Sequence, residues 1–142
     1  MERRDNWEHF LSEFLFKRKN SSFRYGRNDC CLFVADAVEK MTGVDPAESF
    51  RGKYKTRSGA NNMLLQFSGG SIFETVKKLT LNYGMPEINP NYAGRGDIAL
   101  VHGEMGDALG VVDMTAEKVA IPGKKGLVFF PTIAIKKAWR VG

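Results

Sequence analysis

Two adjacent cysteines, Cys30 and Cys31, are the residues of this sequence with the clearest chemical potential, and they lie in the stretch FRYGRNDCCLFV at 23–34. Neighbouring cysteines are poorly placed to form a disulfide, because closing so small a ring distorts the backbone. The chain has two cysteines in all, so we expect both thiols to be free. A free thiol is either a nucleophile or a small buried hydrophobic group, and the local sequence leaves both interpretations open.

The position of Cys30 favours it over Cys31 as a nucleophile. Asp29 is a typical N-cap residue, and the apolar positions after it predict a helix over 30–42 that ends at Gly43. The unpaired N–H groups and the dipole of a first helical turn favour a thiolate and could also stabilise an oxyanion. Cys31 is rotated by about 100° around the helix and cannot share that position. If either thiol is catalytic, we expect it to be Cys30.

Further helical segments are predicted on both sides of this central helix. Asp5 as N-cap, with a glutamate three positions on, opens an amphipathic helix that runs to about residue 19. An apolar run at 63–67 ends at a Gly-Gly pair. Ser71 and the glutamate three positions on form a capping box that opens a short helix to about residue 81.

The pattern changes after the Pro- and Asn-rich connector MPEINPNYAGRG. Helices first and antiparallel strands second predict an α+β fold, in which the N-terminal helices pack on one face of a C-terminal sheet. The central helix 30–42 is the element that we expect to lie on that sheet. Short apolar runs separated by turn signals predict five strands, at 98–102, 108–114, 118–121, 127–130 and 138–141.

Length and composition predict one domain, because a chain of 142 residues with 43% hydrophobic residues can bury a single core. The N-terminus MERRDNWEHF lacks the long apolar stretch of a signal peptide or a membrane span. We expect a soluble chain with no membrane span, no cofactor and no metal. The parts of the domain 1–142 are an N-terminal helical extension (1–22), a helical half with the Asp-Cys helix (23–82) and a sheet half (95–142).

The charged and aromatic features outside the cysteine turn favour structural roles. The net charge of +5 suits a polyanion, yet the lysines and arginines are scattered among acidic residues, so we expect no nucleic-acid partner. The basic segment RGKYKTR at 51–57 could grip an anionic wall polymer, but a solvated loop is the commoner explanation. Trp139 could stack on a sugar, although capping the sheet core is the commoner role. The Gly-Asp step at 96–97 is typical turn punctuation.

Three segments around the cysteines match a known pattern in order and spacing: FRYG at 23–26, DC at 29–30 with FV at 33–34, and GDIALV at 96–101. In these segments the chain resembles the NlpC-type papain-like cysteine peptidases and amidases, which cut the stem peptides of peptidoglycan. The resemblance implies a papain-like fold, Cys30 as nucleophile and a histidine at the start of the second strand as general base. It also implies peptidoglycan as a partner.

A second set of matches covers nearly the full chain: Trp7 with His9-Phe10, FVADAV at 33–38, MTGVDP at 41–46, FRGKYKT at 50–56, ALGV at 108–111 and AWRV at 138–141. In these the chain resembles a family of small phage and prophage tail proteins, related to the NlpC-type fold and of undefined function. The resemblance implies a place in the virion, in the phage tail, for a chain made in the host cytoplasm. Its partners would be other tail-tip and baseplate proteins, and its role tail assembly or engagement of the cell wall.

The second predicted strand departs from the peptidase pattern, because Ala108 stands where those enzymes carry the catalytic histidine. Without a general base, proton transfers worth about two to four orders of magnitude in rate would be lost. The main interpretation is therefore a structural or adaptor protein of the tail tip or baseplate, on a papain-like fold without a working peptidase site. The alternative is an active cysteine hydrolase that cuts peptidoglycan peptides with Cys30 and an unusual base.

His102 is the candidate for that unusual base. The loop GEMGD separates His102 from Ala108, and a five-residue connection would place the two opposite each other in a hairpin. Directly paired residues share a face of the sheet, so His102 could reach the space that the peptidase histidine fills. A shift of the register by one residue would turn it to the other face.

Overall fold

The structure, a computed structural model, describes residues 1–103 and 106–142, so Glu104 and Met105 in the predicted loop GEMGD lie outside the described residues. Helices come first and strands second, which confirms the predicted α+β class. The helices have 11 to 13 residues, and none of those described is long and apolar enough to cross a membrane. They are α1 (Trp7–Arg18), α2 (Cys30–Thr42), α3 (Arg57–Ser68) and α4 (Ile72–Asn82).

The strands form one antiparallel sheet of six, where the sequence predicts five: β1 (Glu87–Ile88), β2 (Ile98–Gly103), β3 (Gly106–Val112), β4 (Lys118–Gly123), β5 (Gly126–Pro131) and β6 (Ile135–Trp139). Their spatial order is β1-β6-β2-β3-β4-β5. Each of the five predicted strands overlaps an observed one. The additional strand, β1, has two residues and lies in the connector, where it pairs with Trp139 and Ala138 of β6. So short a strand has no alternating pattern to mark it.

Helix α2 is the buried centre of the fold, as the sequence predicts. Seven of its 13 residues are buried, against three in α4 and two in α1. The predicted N-cap Asp29 accepts a hydrogen bond from the Leu32 N–H, and Gly43 ends the helix at a φ of 83°. The helix packs on β3 and β4, so that Phe33 and Val38 share one core with Leu109. Trp139 is 1% exposed in the same core, which confirms its structural role.

The start of α1 differs from the prediction. The helix begins at Trp7 rather than after an Asp5 cap, and Asn6, which precedes it, makes no capping hydrogen bond through its side chain. The reason lies in Arg4, whose N–H donates to the Met41 carbonyl at the end of α2, at 2.7 Å, and whose carbonyl accepts from Trp7 at 3.1 Å. The chain is thus held against α2 just before the turn that leads into α1.

The basic segment 51–57 is not the uniformly solvated loop that the sequence favours. Arg51 forms ion pairs of 2.7 Å with Asp36 and with Asp45, and Tyr54 is buried. The end of the segment, Arg57, already belongs to α3. The segment is therefore anchored to the helical half at two points, and its lysines remain exposed between them. The next helix, α4, begins as predicted, with the Ser71 hydroxyl accepting from the Glu74 N–H at 2.9 Å.

The hairpin between β2 and β3 has a different register from the predicted one. His102 pairs with Asp107, and Ala108 pairs with Val101, so the prediction that His102 and Ala108 face each other is wrong by one residue. The cause is the length of the strands. They extend to Gly103 and Gly106, which pair with each other, and this leaves a tighter connection than the five residues of GEMGD.

Asp97, the residue before β2, has a structural role beyond the turn that the sequence predicts. It is 1% exposed and accepts hydrogen bonds from the Gly94 and Val141 N–H groups. Two arginines pair with its carboxylate, Arg3 at 3.0 Å and Arg140 at 3.4 Å. These contacts join the N-terminal segment, the start of β2 and the segment after β6 at one buried charge.

Strand β5 is the outer strand of the sheet next to β4. Its Leu127 N–H points away from β4 and donates to the carbonyl of Lys19, after the end of α1, at 2.9 Å. Gly126 has a φ of 133° and packs against the Lys19 carbonyl so closely that a Cβ atom would collide with it. The C-terminal end of α1 therefore lies against the β4–β5 hairpin.

Candidate functional site

The start of α2 lies beside a cavity of about 650 Å³. Cys30 and Cys31 are both half-buried, both free of disulfide bonds, and both line it. One wall comes from the loop before α2, with Phe23 and Tyr25, and another from α3. The ends of β3 and β4 complete it, with Ala108 and Pro122. The cavity therefore gives small molecules and side chains access to the thiol at the first position of the helix.

Asp29 holds this helix start in place with hydrogen bonds from three segments. Its Oδ1 accepts from the Leu32 N–H at 2.9 Å, and its Oδ2 accepts from the Gly26 N–H at 2.9 Å. Oδ2 also accepts from the Tyr54 hydroxyl at 2.6 Å. Burial, followed by this hydrogen bond, raises the pKa of Tyr54 far above its ordinary value, so the phenol stays protonated as a donor. Asp29 thus joins α2 to the preceding loop and to the segment before α3.

The two thiols differ in acidity. The pKa of Cys30 is lowered, first by a hydrogen bond from the Cys31 thiol and then, against the opposing effect of burial, by a hydrogen bond from the Leu109 backbone. The pKa of Cys31 is raised well above the ordinary value by its hydrogen bond to Cys30 and by burial. Of the pair, Cys30 is therefore the thiol that ionises first, with Cys31 as its proton-bearing neighbour. The first turn of the helix is the cause that the sequence indicates, and the Cys31 thiol is a further one.

The Leu109 N–H is available to the sulfur because the β3–β4 ladder stops short of it. The paired residues are Val111 with Ala120 and Val112 with Val119. Continuing that register would place Leu109 opposite Pro122, whose missing N–H would leave the Leu109 carbonyl, and not its N–H, without a ladder partner. Pro122 and Cys30 both line the cavity. The Leu109 N–H, which a longer ladder would pair with a carbonyl of β4, instead lowers the pKa of Cys30.

His102 lies outside this arrangement. Its side chain is 66% exposed, it is absent from the cavity lining, and its Nδ1 is 3.1 Å from the Asp107 carboxylate. Lys136 is 3.2 Å from the same carboxylate. The hydrogen bond from His102, and after it the contact with Lys136, lower the pKa of Asp107. Asp107 itself lines the cavity. The structure therefore does not bring His102 to Cys30, and the role of His102 as a base stays a prediction.

Ala108 lines the cavity in the position where the resemblance to NlpC-type enzymes implies a histidine. The chain's other histidine, His9, is exposed on α1, 3.5 Å from Glu13. No group of three or more His, Cys, Asp or Glu side chains within residues 1–103 and 106–142 is arranged to hold a metal ion. The chemistry of the site therefore rests on one acidic thiol, its thiol neighbour and backbone N–H groups.

Sequence analysis misses two contributors to the site. Tyr54 lies 25 residues after Asp29 and inside a basic run, so nothing local indicates that its hydroxyl reaches the helix cap. Pro122 did carry a signal, because a proline that follows a strand pattern marks the end of a hydrogen-bonded ladder. That signal does not point to the Leu109 N–H, because a proline withholds a donor and not an acceptor.

The fold and the site define an α+β domain with an antiparallel sheet and a thiol-lined cavity at the start of its central helix. The chain belongs to the family described as Domain of unknown function (DUF6950), whose model matches residues 2–141. No curated protein matches the chain. The family description names no activity.

Proposed function

We propose that this protein is a structural or adaptor component of a phage tail tip or baseplate, located in the virion and in contact with other tail proteins. The resemblance to small phage tail proteins, in segments spread from Trp7 to Val141, supports the phage setting. One observation supports a structural role over a peptidase role. Neither of the chain's two histidines, His9 and His102, lines the cavity that contains Cys30.

We also propose that the fold is the papain-like NlpC type. Support comes from the order of its parts, an Asp-Cys step at the start of a buried helix followed by an antiparallel sheet. The Gly-Asp step before β2 and the place of Ala108 in the cavity wall agree with this relation. Ala108 would then mark the point at which the catalytic histidine has been replaced.

The carboxylates at the cavity are poor substitutes for that histidine. Both oxygens of Asp29 already accept hydrogen bonds, from Leu32 on one side and from Gly26 and Tyr54 on the other. Asp107 pairs with His102 and with a lysine, and its lowered pKa makes it a weaker base. A general base must accept a proton near the working pH, and a carboxylate whose pKa is lowered does so poorly.

Deletion of the gene from the phage or prophage that carries it tests the proposal. We expect particles with absent or defective tail tips in electron micrographs, because a structural component is required for assembly. Complementation with Cys30→Ala should restore normal tails, since the role does not need the thiol. Normal tails in the deletion, with infection impaired at the cell wall, would contradict the structural role.

A second candidate function is a cysteine hydrolase acting on peptidoglycan peptides with an unusual base. The observation that favours it is the lowered pKa of Cys30, a residue that lines the cavity. Incubation of purified peptidoglycan with the protein, followed by detection of new peptide termini, separates the two candidates. Termini released by the wild type and not by Cys30→Ala would establish the hydrolase. No release by either would favour the structural role.

A further inference from the structure

The interior of the cavity is mostly apolar, and its two buried polar side chains, Asp29 and Thr75, already have hydrogen-bond partners. Both oxygens of Asp29 accept hydrogen bonds. The Thr75 hydroxyl lies 2.7 Å from that of Ser68 and 2.9 Å from the Ser71 carbonyl. A bound peptide backbone would find few partners there for its own N–H and C=O groups, and leaving such groups unpaired is costly. An unbroken hydrocarbon chain has no such need. The apolar walls include Phe50, Met63, Leu64, Phe67, Ile72 and Ile121.

Three segments around this cavity carry cations and no acidic residue: 19–28, 51–61 and 122–131. They lie together, because the Phe23 N–H donates to the Gly123 carbonyl at 2.7 Å and the Leu127 N–H donates to the Lys19 carbonyl at 2.9 Å. Gly26 packs on the backbone of Tyr54, where a Cβ atom would collide with the carbonyl oxygen. The segments thus form one continuous surface next to the cavity.

Eight exposed cations of these segments form what we call the basic rim. Lys124 itself lines the cavity, and several others are sequence neighbours of lining residues, such as Arg24 beside Phe23 and Lys55 beside Tyr54. Within residues 1–103 and 106–142 none of the eight forms an ion pair with a carboxylate. The basic rim consists of Lys19, Arg24, Arg27, Lys53, Lys55, Arg57, Lys124 and Lys125.

We propose that the cavity binds a single-chain anionic amphiphile, a long-chain fatty carboxylate, with its hydrocarbon chain inside and its carboxylate at the basic rim. The volume of about 650 Å³ falls within the usual range for small-molecule sites. Burial of the chain supplies the affinity, and the unpaired cations select a negative head group. This inference goes beyond the tail-adaptor role and does not depend on it.

Titration of the full chain with cis-parinaric acid, a fluorescent fatty carboxylate, tests the inference. We expect saturable binding of one molecule per chain and competition by dodecanoate. Dodecanol, which has the same chain without the charge, should compete about tenfold less well, and the gap should narrow as salt screens the basic rim. Acetate should not compete, because it lacks the chain.

Two pairs of variants locate the binding site. Lys124→Glu with Lys125→Glu should weaken parinarate binding about tenfold, whereas the control pair Lys40→Glu with Lys118→Glu, also exposed lysines, should change it by less than about twofold. Leu64→Trp should fill the cavity and abolish binding, whereas Leu65→Trp, at a position 59% exposed on the same helix, should bind normally. Thermal unfolding of each variant checks that the fold is retained.

Several results would overturn the inference. Equal competition by dodecanol and dodecanoate, or equal effects of the two lysine pairs, would remove the basic rim from recognition. Parinarate binding unaffected by a folded Leu64→Trp variant would move it elsewhere. Binding only to phosphatidylglycerol vesicles, or tighter binding of an acidic, leucine-containing peptide than of dodecanoate, would assign the same surface to a membrane or to a protein partner instead.

Discussion

The two buried aspartates of this domain, Asp29 and Asp97, are held by different chemistry. Asp97 is paired with Arg3 and Arg140 and accepts from two backbone N–H groups. Asp29 has no cation within ion-pair distance in the part of the chain that the structure describes, and two N–H groups and the Tyr54 hydroxyl hold it instead. One carboxylate is neutralised by full charges, the other by dipoles.

The difference separates a region that holds the chain together from a region that positions a reactive group. At Asp97 the cations come from segments far apart in sequence, so the pairing fastens both ends of the domain to β2. At Asp29 the donors come from the turn that carries Cys30 and from the cavity wall, so the contacts fix the thiol relative to the cavity. An arginine at that second place would lie beside Cys30 and change its chemistry.

The largest expected effect is that of Asp97→Ala. Removing one partner of a buried ion pair typically costs about 3–5 kcal/mol in the free energy of unfolding, and here two arginines lose their counterion. Urea unfolding monitored by Trp fluorescence measures the change. Asp5→Ala is the control, because Asp5 is exposed and makes no cap, and it should cost less than about 0.5 kcal/mol. A similar loss in both variants would contradict the role of Asp97.

Asp29→Ala should cost less, about 2 kcal/mol, because it removes a helix cap and leaves the Tyr54 hydroxyl without its acceptor. Tyr54→Phe should cost about 1 kcal/mol, since it deletes only the donor. The same urea experiment applies to both variants. If Asp29→Ala destabilised the chain more than Asp97→Ala, the contrast between a fastening and a positioning carboxylate would fail.

A smaller effect is expected for substitution of Cys31, which should change the rate at which Cys30 is alkylated. With its pKa lowered, Cys30 should be alkylated with a midpoint below the ordinary thiol value of about 8.5. Cys31→Ala removes the main cause, so the midpoint should move up and the rate at pH 7 should fall roughly threefold or more. Cys31→Ser, which keeps a donor, should restore part of the difference. The measurement is the rate of iodoacetamide labelling against pH, followed at the Cys30 peptide by mass spectrometry. A lower midpoint in Cys31→Ala than in the wild type would contradict the prediction.

The smallest expected effect is that of His102→Ala on the same alkylation profile. His102 contacts Asp107 and is absent from the cavity lining, so its removal should leave the midpoint of Cys30 unchanged. A matched test is His9→Ala, on the exposed face of α1, which should also have no effect. A profile that shifts upward in His102→Ala alone would return His102 to the site as a base.

Much of the fold could be predicted from local sequence. Helix α2 was bounded correctly because a strong cap, an apolar face and a terminal glycine agree with one another. The start of α1 was not, because Asp5 is a good cap by type, whereas a tertiary contact of Arg4 with Met41 decides where the helix begins. The two-residue strand β1 depends entirely on its partner β6 and has no pattern of its own.

The site was predictable only in its first element. Asp29 and Cys30 are visible as an N-cap and the residue after it, but the Tyr54 contact joins residues 25 positions apart. The partner of His102 depends on the hairpin register, and a shift of one residue changes that partner. The sequence predicts a five-residue connection, whereas Gly103 and Gly106 of that stretch pair with each other as parts of β2 and β3. The basic rim was dispersed over three segments, so a scan for one continuous run could not find it.

The contact between Leu127 and Lys19 also bears on how the molecule avoids self-association. Since the Leu127 N–H points away from β4, Phe129 and Pro131, two and four positions on, face the same way. The Leu127 N–H is already bonded to the Lys19 carbonyl, and Pro131 has no N–H. Phe129 alone then offers a free donor along that side of β5, so another chain could form only a partial ladder there. Exposed Val128 and Phe129 can therefore lie at the border of the sheet without making it a template for fibril growth.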